Sequence, residues 1–547
     1  MSTTNSKTLP TRGKQIAATR KGNMNQTQPP TTPANARGKQ SVPAKRESLR
    51  MSMSPSPIEE STITIDGKTL TVAEIRATGD TILDVVFETT LHCDKSIEGA
   101  RAMEKMKEEC VAAKKKPEAV RKLYRVRTET LKKNSKYFQQ LLGSDSFGEG
   151  IRMKEAFAYF KEKESEITQA PVEELPRVRI HDDEDSTRTF GRERVFEDML
   201  RIVHGGHHGT ESKYISLHYL AVLVTMADRF ECMESVSRYL GSSSLSRFKY
   251  PSNTTEEIIR KKLLIFSLAR IHPMQANGSF ENCSKELIAK GSVRWGILDE
   301  SNVSPARWWN LPEGLEDELA FRRKRIISCL ASLQNHFLTL YTSKERQCRL
   351  GYDSSGACDS FQLGEMIKFL SSKKLLSLSS FSSVSSDDED YVWPEAYAGS
   401  IDELIAMLRR VPEYQIDKNH SHCGLRKRIS APLDYIGTCF NSGSSIPGPR
   451  WFKDRESISW LHYSKDDKAA PGPAFTVAGK PVGAYRDWVW SYAAVTKNGV
   501  GNLGGPGSSE RSARQLFTAD VWDWKSDREI AVVGRAFVDG SLTLKMQ

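Results

Sequence analysis

The sequence predicts an α+β domain of short strands and helices, preceded by a basic tail and followed by a mainly α-helical region that ends in a small, irregular β-containing segment. Three observations carry that prediction. The 547-residue chain has a formal net charge of +10, but its first 58 residues hold ten basic side chains and one acid, so the rest sums to only +1. Hydrophobic spacing changes from strand-like runs near residues 63–87 to three-and-four spacing from residue 196 onward. Six of the ten tryptophans (Trp451, Trp460, Trp488, Trp490, Trp522, Trp524) fall after residue 441, among Gly and Pro.

Residues 1–60 are Thr, Ser, Pro, Gln, Asn, Gly and basic residues, with little to bury beyond Ile16 and Val42. Such a segment cannot offset its ordering entropy, and it is expected to be disordered. Its Ser54-Pro55-Ser56-Pro57 run offers phosphorylation sites that would reduce its positive field. Order begins at Ile63-Thr64-Ile65 and Leu70-Thr71-Val72 around the hairpin signal Asp66-Gly67. Leu83 to Phe87 reads as a strand, and a helical segment rich in Ala, Glu, Lys and Met follows over about 97–120. Tyr124 to Arg127 alternates as a second strand, and Leu131, Tyr137, Phe138 and Leu142 supply helical apolar positions. After an acidic, Pro-containing connector, Val178-Arg179-Ile180 is a further strand. Phe196, Met199, Leu200 and Val203 then mark one face of a helix, and Tyr219 to Phe230 another.

This places one domain at 61–240. A helical domain at 241–345 culminates in the stripe Ile326, Leu330, Leu333, Phe337 and Leu340, with Cys329 beside it as a buried thiol. A helical Cys/His module follows at 346–440, interrupted by a Ser/acidic loop at 377–390, and a Trp/Gly-rich irregular region occupies 441–547. The runs Val489 to Val495 and Ile530 to Val533 read as short β segments.

The order of elements in 61–240 carries a family resemblance. Leu83-Asp84-Val85-Val86-Phe87, then Tyr124 to Leu131, then Ser135-Lys136-Tyr137-Phe138, then the strand at Val178, the helix closing with His204-Gly205, and a final helical pair near Cys232 to Val236 resemble a BTB/POZ domain. The match covers about a third of the chain and departs from the family in the helical insertion of about 30 residues between the first two strands. The resemblance implies a small sheet capped by helices, self-association as a homodimer, and binding of other proteins. In some members the partner is a cullin-type ubiquitin ligase scaffold, recruited through an apolar-x-acid motif. Phe147-Gly148-Glu149 stands at the matching place, which makes Phe147 and Glu149 candidate partner-binding residues. Through Cys348-x9-Cys358-Asp359-Ser360 with Gly364, and through His420-x2-Cys423, the remainder resembles fungal BTB proteins with a helical, cysteine-containing region.

Cys348, Cys358, His420 and Cys423 form the sharpest chemical constellation: two thiols with nine residues between them and a His-x2-Cys cluster, the soft donors that tetrahedral zinc takes. Cys-x9-Cys is wider than usual and His422 competes with His420, so separate buried thiols with a surface histidine stand as the alternative. His204, His207 and His208 are better read as a helix end, where positive charge is favourable, than as metal ligands. Gly499 to Gly504 fits G-x-G-x-x-G, but Gly505-Pro506-Gly507 delays any helix, so it reads as a glycine loop.

No hydrolase elbow, phosphate-binding loop or metalloprotease helix is present, so no catalytic role is assigned. The expected function is a non-enzymatic interaction scaffold or adaptor with structural zinc, in the cytoplasm and/or nucleus. The alternative is a nuclear transcription or chromatin regulator whose tail binds nucleic acid weakly and nonspecifically. No stretch is apolar enough for a membrane span, and the N-terminus lacks the apolar core of a signal peptide, so no membrane partner is expected.

Overall fold

Asp66 and Gly67 take φ values of 52° and 75°, the left-handed pair that a two-residue hairpin turn needs. They join β1 (Thr62–Ile65) to β2 (Lys68–Glu74) as the sequence predicts. In this computed structural model the described residues are 61–93, 95–97, 99–206, 215–241, 255–270, 279–295, 305–348, 355–376, 397–420, 423–462, 488–497 and 508–525. The tail, the Ser/acidic loop 377–390 and Ile530 to Val533 lie outside them.

β3 (Thr81–Phe87) is followed by β4 (Lys95–Ser96), α1 (Ala100–Ala112) and β5 (Val120–Val126). The insertion leaves the strand pairing intact, because β3 and β5 are antiparallel from Thr81↔Val126 to Phe87↔Val120. Asp80 then accepts the Thr128 amide at 2.8 Å and starts α2 (Thr128–Asn134). Ser135 caps α3 (Lys136–Gly143) through the Phe138 amide, and its hydroxyl donates to the Phe230 carbonyl at 2.6 Å.

The next element departs from the sequence reading. α4 (Gly148–Glu162) occupies the first half of the stretch read as a connector. It buries only Gly150, Met153 and Phe160 among exposed charges, so its apolar period is too thin to stand out. β6 (Arg177–Asp182) runs parallel to β3 and completes a sheet of order β1-β2-β5-β3-β6. β7 (Thr189–Phe190) pairs with β4. α5 (Arg192–Val203), α6 (Leu217–Arg229) and α7 (Met233–Tyr239) follow.

Both faces of β3 are covered, which explains its near-continuous burial. Leu83, Val85 and Phe87 join the main core with α5 and α6, while Ile82 joins Ile63, Ile65, Val72, Leu123 and Leu175 in a smaller core under the hairpin. Asp84 lies on the smaller-core side. Burial alone would raise its pKa, but the bidentate Arg121 guanidinium (2.7 and 2.6 Å) holds it below its usual value.

The helical part comprises α8 (Glu256–Ala269), α9 (Ser279–Lys290), α10 (Leu315–Thr342), α11 (Ser355–Ser372), α12 (Ile401–Arg409) and α13 (Leu425–Gly443). The C-terminal elements are α14 (Gly448–Trp451), α15 (Arg455–Ile458), β8 (Val489–Ser491), α16 (Tyr492–Lys497), α17 (Ser508–Phe517) and β9 (Val521–Asp523). Glu60–Gln547 forms one compact unit, and a continuous apolar core runs from Ile75 to Trp524.

α10 is the axis of this part. It packs against α9, α11, α13, α17 and β9, and its stripe residues Ile326, Leu330 and Leu333 are fully buried. Cys329 is buried with them, and burial raises its thiol pKa. The late tryptophans belong to the same core, since Trp451, Trp460, Trp490 and Trp524 are all buried. Two charges fasten the C-terminal segment to α10. Glu318 accepts hydrogen bonds from Ser459 Oγ (2.7 Å) and the Trp460 amide (2.8 Å), and Arg322 donates to the carbonyls of Ser444, Ser445 and Ile458. Only Val489–Ser491 of the run read as β to Val495 is a strand; Tyr492 onward is helical, with Trp490 and Tyr492 packed against Trp524.

A candidate metal centre

Four chain segments deliver Cys348, Cys358, His420 and Cys423 to one point. Cys348 lies in the loop after α10, Cys358 lies in the first turn of α11, His420 closes a single 3-10 turn (Lys418–His420), and Cys423 stands two residues before α13. The His-x2-Cys spacing works because the Cys423 amide donates to the His420 carbonyl at 3.1 Å, a tight turn that aims both side chains the same way.

The four donor atoms all lie within 4.8 Å of one another. Cys348 Sγ is 3.4 Å from His420 Nδ1 and 3.6 Å from Cys423 Sγ, and Cys423 Sγ is 3.8 Å from His420 Nδ1. A tetrahedral ion with bonds of about 2.3 Å to sulfur and about 2.0 Å to nitrogen places donors about 3.5–3.8 Å apart. The donors are buried, at 4 % exposure for Cys348, 0 % for Cys358, 1 % for His420 and 7 % for Cys423. His420 is therefore a core residue, and the reading of it as a surface histidine beside unrelated thiols fails; His422 lies outside the described residues. The Cys3His cluster could hold a metal ion through His420 Nδ1.

Electrostatics favour a cation there. Burial, then the charges of Cys423 and Cys348, push the Cys358 thiol far above its usual range. Burial and Cys348 raise Cys423 as well, while Arg428 acts in the opposite direction. A divalent ion at the centre would offset both the burial and the mutual repulsion that raise these thiols. Asp417 approaches His420 Nε2 at 3.8 Å and also accepts the Asn419 amide at 2.7 Å, shaping the turn that presents the imidazole.

The other sequence candidates lie elsewhere. Phe147 precedes the first turn of α4 and is 45 % exposed, while Glu149 is half-buried with Arg152 3.8 Å away. His204 does end α5, but not as a cation. Its Nδ1 faces the Leu200 carbonyl at 2.8 Å, its Nε2 accepts the Arg127 amide at 3.1 Å, and burial lowers its pKa, so a neutral ring satisfies both bonds. The expected stabilisation of positive charge at this helix end is outweighed by desolvation. His207, His208 and Gly499 to Gly504 lie outside the described residues.

The structure also reveals contacts around the cluster that spacing did not show. Asp359 accepts the amides of Cys348 (2.9 Å) and Gln347 (2.8 Å), Arg428 donates to the Gln347 carbonyl (2.8 Å), and the Tyr341 hydroxyl donates to the Cys423 carbonyl (2.9 Å). Among Asp359, Arg428 and Tyr341, Asp359 alone adjoins a donor, Cys358, along the chain. In comparison with known proteins, no family, curated protein or solved structure matches the chain.

Proposed function

We propose that the chain is a non-enzymatic protein-interaction scaffold. In this reading residues 61–240 are a BTB/POZ-like dimerisation and docking block, and Cys348, Cys358, His420 and Cys423 hold a structural zinc ion in the helical part.

One observation carries the scaffold reading: the antiparallel pair β3–β5, the capped helices α2 and α3, parallel β6 and then α5 to α7 occur in the order that the family resemblance calls for. Leu131 and Phe138 of that pattern are fully buried, and Ser135 ties α3 to the end of α6. Phe147 supports a docking role because a half-exposed aromatic beside an acid can anchor a partner, with a cullin-type scaffold as the partner expected. The zinc assignment rests on donor chemistry. Three thiols and an imidazole suit a borderline-soft tetrahedral ion, and four protein donors in a buried set leave no position for substrate.

Light scattering on the full chain over a concentration series tests self-association: a dimer is expected, and a strictly monomeric chain at high concentration refutes the dimerisation reading. Metal analysis of the same material should find one zinc per chain. A substoichiometric content would argue for ordinary buried thiols.

A further inference from the structure

The metal cluster has a charge to balance. Three thiolates and a neutral imidazole around a divalent ion sum to a net of about −1, placed where water is excluded. Arg428, half-buried in the first turn of α13, stands against the same loop that carries Cys348. Its two terminal nitrogens donate to the Gln347 side-chain oxygen (3.1 Å) and the Gln347 carbonyl (2.8 Å), and its guanidinium lies over the Tyr341 ring at 5.6 Å. Tyr341 in turn binds the Cys423 carbonyl at 2.9 Å. From α11, both oxygens of Asp359 grip consecutive amides, Gln347 and Cys348. The peptide units that carry Cys348 and Cys423 are thus held from outside by α10, α11 and α13, independently of any ion.

We infer that Arg428 and Asp359 are positioning residues of the metal centre, Arg428 supplying the cation that balances the cluster and Asp359 clamping the Gln347–Cys348 turn onto α11. The inference rests on the structural-metal reading above. Preorganisation is the physical point: a loop fixed before the ion arrives loses less conformational freedom on binding, so the ion is held more tightly. Arg suits this place because one planar fork reaches two acceptors on Gln347 while its face covers Tyr341, which a lysine ammonium cannot do.

The test uses the full chain, with zinc affinity measured by competition against a chromogenic chelator and cobalt(II) absorption as the geometric signature. Arg428→Gln and Asp359→Asn should each weaken zinc binding about 10- to 100-fold, while keeping all four donors and a tetrahedral cobalt spectrum. Arg428→Lys, which keeps the charge and loses the fork, should recover part of that loss. Variants that melt earlier yet bind zinc within twofold of the wild type would overturn the inference and leave the zinc reading standing. A wild-type chain that binds neither zinc nor cobalt would overturn both.

Discussion

Glu318→Ala should release the C-terminal segment from the helical core. In the native chain the Glu318 carboxylate is buried and accepts hydrogen bonds from Arg322 Nε (2.7 Å), Ser459 Oγ (2.7 Å) and the Trp460 amide (2.8 Å). Burial would raise its pKa, but Arg322 and these donors hold it below the usual value, so it is ionised. Removing it strands the Arg322 guanidinium, whose side chain is 1 % exposed, and leaves buried donors unsatisfied. Breaking a buried pair from one side costs about 3–5 kcal/mol. Arg322→Ala should cost a similar amount by stranding three carbonyls. The double variant should be far less than additive, because both side chains serve the same network. Trp460 reports locally, since Arg322 lies over its ring at 4.5 Å. The assay is urea unfolding followed by tryptophan fluorescence, with limited proteolysis of the segment after residue 444. A Glu318→Ala chain within about 1 kcal/mol of wild type, with an equally protected C-terminus, would refute the reasoning.

Cys423→Ser should lower zinc content and stability together, as should chelator treatment, whereas Cys329→Ser, outside the cluster, should keep its zinc; metal analysis and melting curves decide. His218 provides a pH prediction. Burial, then Lys261 at 3.0 Å, depress its pKa to about 3, so in the unfolded chain it binds a proton at higher pH than in the folded one. Stability should hold above about pH 6.5 and fall as pH drops from there toward about 3, and His218→Phe should flatten that part of a stability-against-pH curve. Gly67→Ala should cost about 1–2 kcal/mol, because Gly67 has φ of 75°, and an unchanged unfolding midpoint would argue against the tight turn. Deleting residues 1–58 should abolish any salt-dependent DNA binding if the tail carries it, and unchanged binding in an electrophoretic shift assay would end the tail-based nuclear reading.

Local chemistry made part of this protein legible. Asp66-Gly67 encodes its own turn, the helical stripe from Ile326 to Leu340 encodes α10, and His420-x2-Cys423 fits a tight turn that needs no distant partner. Elements with few buried residues were not legible in the same way. α4 hides behind Arg152, Lys154 and Glu155, and the helices α14 to α16 are too short for their period to rise above the Gly, Pro and Trp around them.

By itself, then, the sequence determined where charge resides, which segments alternate or coil, and which residue types are able to bind a soft metal, since each depends on neighbours along the chain. Tertiary structure alone decided that Cys348 and Cys358 share one point with a turn more than 60 positions away in the chain, that His420 is buried there, and that the late tryptophans complete the core around α10. Those outcomes depend on which surfaces exclude water together, and distance along the chain carries no record of that.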